Sequence, residues 1–281
     1  MGNYLSEPIT DWVDPMHVIH GQYEIGAVAM QGYRTTMEDY HVISTLQGRG
    51  PEKVAVLGVF DGHGGNWMAN YAKENFVRVL ESTESWQHVN IGDALNDAFL
   101  ELDAEARRCL TLSGSTSSGS TAIVVVITPD EIVCANAGDS RAVCMFDNEV
   151  VALSEDHKPY LETERKRIEA SQGVVLNGRV DGNLALSRAL GDFEFKTNVN
   201  LSPEQQKITA KPDIMTRSRK AGGWLLLASD GLWDVFTNEE VMEWIRQRSS
   251  DDVQLLAVEL VHFCIMEKKS SDNITAIIVR F

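Results

Sequence analysis

The chain has 281 residues, and its 43% hydrophobic content is enough to bury a substantial core without metal or disulfide staples. A formal charge of -16 would repel the phosphate backbone of nucleic acids, so we expect no nucleic-acid partner. The four cysteines show no metal-binding spacing, and the sequence contains neither a secretory signal nor an apolar run that would span a bilayer. We therefore expect a cytoplasmic protein.

Residues 1–21 are interpreted as an N-terminal arm that carries a lipidation pattern. The opening MGNYLS fits the Met-Gly-x-x-x-Ser acceptor pattern for N-myristoylation on Gly2. A single acyl chain binds a bilayer only marginally, and the acidic residues Glu7, Asp11 and Asp14 follow it. The pattern therefore predicts reversible membrane contact through an N-myristoyl group.

Strand patterns dominate the chain from residue 23 onward. The segments rich in β-branched residues and bounded by turn residues are 23–30, 40–46, 54–60, 121–128, 132–137, 142–146, 150–153, 224–228 and 274–279. The turns at 128–131 and 146–149 are too short to hold a crossover helix. The sequence therefore predicts largely antiparallel sheets.

Helical periodicity is confined to a few blocks between these strands. Apolar residues recur every three or four positions in the segments 66–80, 91–110 and 253–264. Thr237 and Glu240 form a predicted capping box at the start of another helix. Antiparallel sheets with amphipathic helices against them indicate an α+β layered fold.

The chain shows no internal repeat and no linker that would divide it, so residues 1–281 are predicted to form a single domain. The SGSTSSGS stretch at 113–120 is interpreted as a loop between a helix and a strand. The least regular region, at about 176–212, is interpreted as a surface flap near a site.

Four aspartates stand where a predicted buried strand meets a turn: Asp61, Asp139, Asp230 and Asp272. Any one of them would fit an ordinary turn residue. All four together, each beside glycine or asparagine, favour carboxylates that converge at one edge of the sheets. Converging carboxylates repel one another unless a cation lies between them, and all-oxygen ligation selects Mg²⁺ or Mn²⁺. The pattern therefore predicts a divalent-metal site.

The turn after Asp61 carries two further candidates. The backbone freedom of the surrounding glycines would let the carbonyl of Gly62 approach a metal. His63 has only glycine neighbours in this turn, and an imidazole beside a metal site is suited to protonating a leaving alkoxide. The other six histidines are interpreted as surface or packing residues.

Two competing motifs fail on their spacing. A dinucleotide loop that starts at Gly62 would need glycine where Trp67 stands. A cysteine-dependent phosphatase loop from Cys134 to Arg141 is one residue too long, and Cys134 alternates as a core residue of a strand.

With these residues assembled, the chain resembles metal-dependent protein serine/threonine phosphatases of the PPM, or type 2C, family. The resemblance runs from about residue 23 to residue 281. It is carried by GYRTTMEDYH, VFDGHGG, SGSTAIVVVI, ANAGDSRAV, LSEDHKP, RIEASQGVV, GRVDGNLALSRALGD, KPDI, LLLASDGLWDV and SSDNITAIIV, in family order. It implies a sandwich of two antiparallel β-sheets with helices on both outer faces.

The resemblance also implies a metal-ligand set. Asp61 is expected to bridge two Mn²⁺ or Mg²⁺ ions, Asp230 and Asp272 to complete one site, and the Gly62 carbonyl to contribute to the other. Asp139 is expected to join Asp230 in a weaker third site. Water that bridges the two ions would attack phosphorus directly.

Further roles follow from the same resemblance. Glu38 is expected to hold metal-bound water with Asp39 in support, Arg34 to bind phosphate, and Asn273 to order the site. His63 would protonate the departing serine or threonine oxygen. The expected partners are phosphorylated proteins, and the expected state is a monomer.

Two other functions stay open at this point. A catalytically inactive pseudophosphatase would keep the fold as a binding module, but it should have lost metal ligands, and every matched ligand side chain here is acidic. A hydrolase of small phosphate esters would share the same metal site, because the metal core does not recognise the leaving group.

Overall fold

The computed structural model describes residues 4–20, 23–47, 53–88, 90–113, 117–248 and 252–281. Its helices are α1 (Trp67–Ser82), α2 (Glu84–Gln87), α3 (Ile91–Ser113), α4 (Glu162–Ala170), α5 (Asp230–Trp233), α6 (Asn238–Arg246) and α7 (Val253–Met266). In this part of the chain, none of the helices is both long and apolar enough to cross a membrane.

The strands occupy the segments that the sequence predicts, together with several short or exposed ones. They are β1 (Tyr4–Ile9), β2 (Val13–His20), β3 (Tyr23–Met30), β4 (Gly32–Arg34), β5 (Asp39–Gln47), β6 (Lys53–His63), β7 (Gly119–Ser120), β8 (Ala122–Ile127), β9 (Glu131–Ala137), β10 (Arg141–Phe146), β11 (Glu149–Ala152), β12 (Val175–Leu176), β13 (Arg179–Val180), β14 (Leu190–Gly191), β15 (Asp213–Ser218), β16 (Trp224–Ala228) and β17 (Ile274–Arg280).

Two antiparallel sheets form the body of the molecule. The first sheet has the order β11-β10-β16-β17-β3-β2. The second contains β5, β6, β8, β9 and β15, and the short strands β7 and β14 continue it beside the end of β6. Because the order of strands in space differs from their order along the chain, sequence-distant strand ends become neighbours at one edge.

Three apolar layers hold the sheets and helices together. Alternate residues of a strand point to opposite faces, so in β16 Leu225 and Leu227 pack between the sheets while Leu226 faces the outer helices. Helices α1 and α3 cover the outer face of the second sheet, and α6 and α7 cover that of the first. The predicted α+β sandwich with helices on both outer faces is confirmed.

Two regions contain more regular structure than their sequence indicates. Within the N-terminal arm, β1 pairs with β4 and β2 extends the first sheet beside β3. The flap region contains the β12-β13 hairpin, β14 and two short 3₁₀ turns. Nearby α4, whose sequence ETERKRIEA contains few apolar residues, escapes an analysis based on apolar periodicity.

Candidate metal centre

Three of the predicted carboxylates converge on one point. Asp61 lies near the end of β6, Asp139 in the turn between β9 and β10, and Asp230 is the first residue of α5. One ligand oxygen from each of these three residues lies within 4.8 Å of the others. The sandwich therefore brings together side chains from three distant parts of the chain.

The fourth aspartate adjoins this trio and holds Arg34. Asp272 Oδ2 accepts a hydrogen bond of 2.5 Å from the Arg34 guanidinium, and its Oδ1 accepts one from the backbone of Asn273. The Arg34 side chain is 48% exposed, so its free donors can reach a ligand from solvent. The ion pair with Asp272 places the positively charged guanidinium of Arg34 beside Asp61, Asp139 and Asp230.

Asp61 and Asp230 resist ionisation beside the neighbouring aspartates. Burial raises the pKa of Asp61 well above its ordinary value, and the charges of Asp230, Asp39, Asp139 and Asp272 raise it further. Burial and neighbouring aspartates raise the pKa of Asp230 in the same way. Such a cluster is stabilised by a cation placed among its oxygens.

Asp39 supports the cluster from the neighbouring strand. It lies opposite Asp61 in the β5-β6 register, and its Oδ2 accepts a 2.7 Å hydrogen bond from the Ser229 hydroxyl. Burial raises the pKa of Asp39 to about 6, against the hydrogen bond from Ser229. Asp39 therefore links β5 to the segment that carries Asp230.

Asn273 orders the loop that carries Arg34 and Glu38. Its side-chain oxygen accepts from the Glu38 backbone at 2.9 Å, and its amide donates to the carbonyls of Gln31 and Thr36 at 2.7 and 3.0 Å. The Glu38 carboxylate in turn accepts from the backbone of Gly65 and from the Thr36 hydroxyl. Arg34 and Glu38 therefore have defined positions beside Asp61, Asp139 and Asp230.

Glycine is required at position 62 because β6 passes close to the backbone of Glu38, the residue before β5. The Gly62 backbone donates to the Glu38 carbonyl at 3.1 Å, and a Cβ atom at this position would lie 2.5 Å from the same oxygen.

The three converging carboxylates offer only oxygen atoms as metal ligands. Such a ligand set fits a hard divalent cation rather than zinc.

His63 lies at the end of β6 with a partner that the sequence analysis did not identify. Its Nε2 is 2.7 Å from Oδ2 of Asp192, which comes from the flap region. Burial lowers the pKa of His63, but the hydrogen bond and charge of Asp192, with Asp139 and Glu38, outweigh burial, and the pKa is raised. The Gly-Asp pair that ends the GRVDGNLALSRALGD motif is a sequence signal that could have indicated Asp192.

Lys158 is a second functional candidate that the sequence analysis missed. Its ammonium donates to Asp139 Oδ2. Burial lowers the pKa of Lys158, but the charges of Asp139, Asp156 and Asp230 outweigh burial and raise it. Lys158 lies in the LSEDHKP motif and supplies one positive charge beside the aspartates.

The residues set aside in the sequence analysis have other contacts. Cys134 is buried between the sheets, and burial raises the pKa of its thiol, while Arg141 pairs with Asp156 at 2.8 Å. His157 Nδ1 accepts from the Gly138 backbone and therefore braces the turn that holds Asp139.

His17, interpreted above as a surface or packing residue, lies beside two carboxylates. His17 lies 2.7 Å from Glu24, and both have a potential ligand atom within 4.8 Å of one on Asp252. Glu24 also pairs with Arg280, and Asp252 caps α7 through the backbone of Leu255, so both carboxylates already have partners.

The fold and the carboxylate site define a class, and comparison with known proteins gives the family. A family profile described as Protein phosphatase 2C matches residues 23–274. The chain therefore belongs to the protein phosphatase 2C family and is a metal-dependent protein phosphatase.

Individual relatives agree with this assignment. The chain is 39% identical over 287 residues to a probable protein phosphatase 2C of Caenorhabditis elegans, covering 99% of this chain and 80% of that protein. It is 37% identical over 285 residues to protein phosphatase 2C homolog 2 of Saccharomyces cerevisiae, covering 99% of this chain and 58% of the yeast protein. A crystal structure of a phosphatase from Toxoplasma gondii matches with a TM-score of 0.82 and 29% identity over 95% of each chain.

Proposed function

We propose that this protein hydrolyses phosphoserine and phosphothreonine in proteins by direct attack of water, without a covalent phosphoenzyme. The observation that carries the proposal is the convergence of Asp61, Asp139 and Asp230 within 4.8 Å. Arg34 and His63 lie beside the same cluster, where a phosphate and its leaving group would sit. No cysteine nucleophile takes part.

The acidic residues would hold two Mn²⁺ or Mg²⁺ ions. Asp61 would be common to both ions, Asp230 and Asp272 would help to hold one, and the Gly62 carbonyl would help to hold the other. When bound, such cations lower the pKa of water towards neutrality and offset charge on the phosphoryl oxygens.

The remaining proposed roles belong to residues around this centre. Glu38 orders the attacking water, with Asp39 in support, and Asn273 fixes the Glu38 loop. Asp139 would join Asp230 in a weaker third cation site, and Lys158 donates to the same Asp139 carboxylate.

The chain's own cationic groups handle the phosphate and the proton. Arg34, held by Asp272, binds phosphoryl oxygens and turns the phosphorus towards the attacking water. As the P–O bond breaks, its electron pair stays on the serine or threonine oxygen, and His63 gives that oxygen a proton. The products are the free hydroxyl side chain and inorganic phosphate.

Phosphate release from a phosphothreonine peptide tests the proposal. We expect turnover in Mn²⁺ or Mg²⁺ and none in chelator, and we expect Asp61→Asn to lose roughly a hundredfold or more in kcat because a ligand is removed. Asp130→Asn removes the same charge at an exposed turn and is the matched control. Full activity in chelator, or an active Asp61→Asn enzyme, would contradict the metal-dependent mechanism.

The leaving group separates a protein phosphatase from a hydrolase of small esters. We expect kcat/KM for phosphopeptides to exceed that for small phosphomonoesters. Tyr4 pairs with Arg34 in the β1-β4 register and is exposed, so it offers a contact for a peptide beside the proposed phosphate position. Equal kcat/KM values for the two substrate types would favour the small-ester hydrolase.

We also propose N-myristoylation at Gly2, with reversible membrane contact by an otherwise cytoplasmic monomer. Gly2 lies outside the described residues, so the proposal rests on the MGNYLS pattern. Mass spectrometry of the natural N-terminus should show the acyl group, and an unmodified Gly2 would remove the idea.

A further inference from the structure

One buried carboxylate beside the proposed proton donor has no role in the mechanism above. Asp192 Oδ2 lies 2.7 Å from His63 Nε2, and the Asp192 side chain is only 3% exposed. We propose that Asp192 is a positioning residue that accepts the Nε2–H of His63 and so leaves Nδ1 to deliver the proton. This inference rests on the acid role proposed for His63.

The proton balance follows from this arrangement. The imidazolium carries hydrogen on both nitrogens, and Asp192 keeps the one on Nε2. The Nδ1 proton passes to the departing oxygen as that oxygen takes the electron pair of the P–O bond. The neutral imidazole is left with hydrogen on Nε2, and it regains its Nδ1 proton from water before the next turnover.

The backbone around Asp192 is fixed from both sides. Asp192 adopts a left-handed conformation with φ 49°, and Gly191 before it has φ 75°. The Asp192 backbone donates to the Ser118 carbonyl at 3.2 Å, while Gly191 pairs with Gly119 between β14 and β7. A non-glycine residue keeps such a conformation only where its surroundings enforce it.

A buried ion pair anchors the same segment to α3. Asp103 Oδ1 accepts from the Gly191 backbone at 2.7 Å and from the Lys196 ammonium at 2.8 Å, and Lys196 also donates to the Ala189 carbonyl. The chain is therefore held on both sides of Asp192. Its carboxylate cannot leave His63 without exposing or unpairing a buried charge.

Gly119 provides the space in which the two side chains meet. It lies opposite His63 in the β6-β7 register, and a Cβ atom there would come within 2.3 Å of both His63 Nε2 and Asp192 Oδ2. Glycine at this position is required for the contact. Three independent features of the fold thus converge on one hydrogen bond.

Leaving-group dependence tests the proposal in the Mg²⁺-loaded enzyme. 4-Nitrophenyl phosphate has a good leaving group, and phenyl phosphate is a substrate of similar shape with a poor one. For Asp192→Asn we expect kcat on phenyl phosphate to fall roughly 10- to 100-fold and kcat on 4-nitrophenyl phosphate to fall by less than about threefold, with KM unchanged. Glu194→Gln removes an exposed carboxylate two residues away and should change neither.

A double variant and a second single variant sharpen the test. Asp192→Asn combined with His63→Gln should lose no more on phenyl phosphate than His63→Gln alone, because both changes remove the same proton transfer. Gly119→Ala keeps both side chains but separates them, and it should show the same selective loss. If Asp192→Asn fails to fold, Gly119→Ala takes its place in the test.

Nitrogen-15 NMR gives a readout that does not depend on turnover. In the neutral ring of His63, we expect hydrogen on Nε2 in the wild type and a loss of that preference in Asp192→Asn; His63→Gln identifies the resonances. An unchanged tautomer and equal losses on both substrates in Asp192→Asn would overturn the positioning role. Equal losses in His63→Gln itself would instead overturn the acid role proposed above.

Discussion

His41 shows how a single buried residue can set the response of this protein to acid. His41 lies on β5 and is 2% exposed, and among the described residues its Nε2 has no hydrogen-bond partner. Burial lowers the pKa of His41 from 6.5 to about 4, against the charge of Asp14. The folded protein therefore holds His41 in its neutral form.

The sign of the pH dependence follows from this lowered pKa. As pH falls from 6.5 to about 4, the unfolded chain binds a proton at His41 that the folded protein refuses, so stability is lost over that window. The loss at this one site approaches about 3 kcal/mol. We expect His41→Leu to show a shallower fall in the free energy of unfolding between these pH values, measured by urea denaturation.

The same change at an exposed position supplies the control. His88 lies on the surface after α2. His88→Leu should therefore leave the pH dependence of the free energy of unfolding as it is in the wild type. Parallel stability curves for the wild type and His41→Leu would show that His41 does not carry the acid response.

Helix α7 packs in close contact with strand β3 of the first sheet. Gly26 lies in β3 beneath the start of α7, and a Cβ atom there would come within 2.4 Å of the Val253 carbonyl oxygen. The Gln254 side chain also bonds both backbone groups of Ala27 at 3.0 Å. The helix therefore rests almost directly on the strand, and there is no space for a methyl group.

We expect Gly26→Ala to destabilise the protein by about 1–3 kcal/mol, because the added methyl group forces the α7 backbone away from the sheet. Gly92→Ala is the matched control, since a Cβ atom there meets Ile214 at an ordinary contact distance of 3.4 Å. In helix α3 this change should be neutral or stabilise by up to about 1 kcal/mol. Chemical denaturation checks both, and equal stabilities for the two variants would contradict the close packing.

At the scale of the whole molecule, the buried aspartate cluster opposes folding because its charges repel one another. Burial and the neighbouring aspartates raise the pKa values of Asp61 and Asp230, so both are costly to ionise at neutral pH without a cation. A cation that binds only the folded state stabilises it by about 2.7 kcal/mol per site at a hundredfold excess over Kd. Metal binding and folding stability are therefore linked.

We expect Mn²⁺ or Mg²⁺ to raise the Tm of the wild type by several degrees. Asp61→Asn should raise the Tm of the metal-free protein, because one of the mutually repelling carboxylates is removed, and it should reduce the metal-induced rise. Asp130→Asn should change neither value. Differential scanning calorimetry in chelator and in saturating metal tests this, and a lower metal-free Tm for Asp61→Asn would contradict the repulsion.

Elements with a local apolar pattern or a capping motif could be predicted from the sequence, and elements without one could not. The apolar positions Val253, Leu256 and Leu260 predict α7, and the Thr237 and Glu240 capping box is formed as expected. Exposed edge strands such as β1 and β15, and the highly charged α4, lack an apolar pattern, and the sequence analysis missed them.

Local periodicity and turn residues act over a few neighbouring positions. By themselves they determined the apolar core strands, the main helices and the placement of four aspartates near strand ends. Only the tertiary structure decided which ends meet. The contact between His63 and Asp192 spans 129 positions in the chain, and it arises because β7 and β14 bring the flap region beside the end of β6. No local pattern encodes such a contact, because strand order and burial across the whole sandwich fix it.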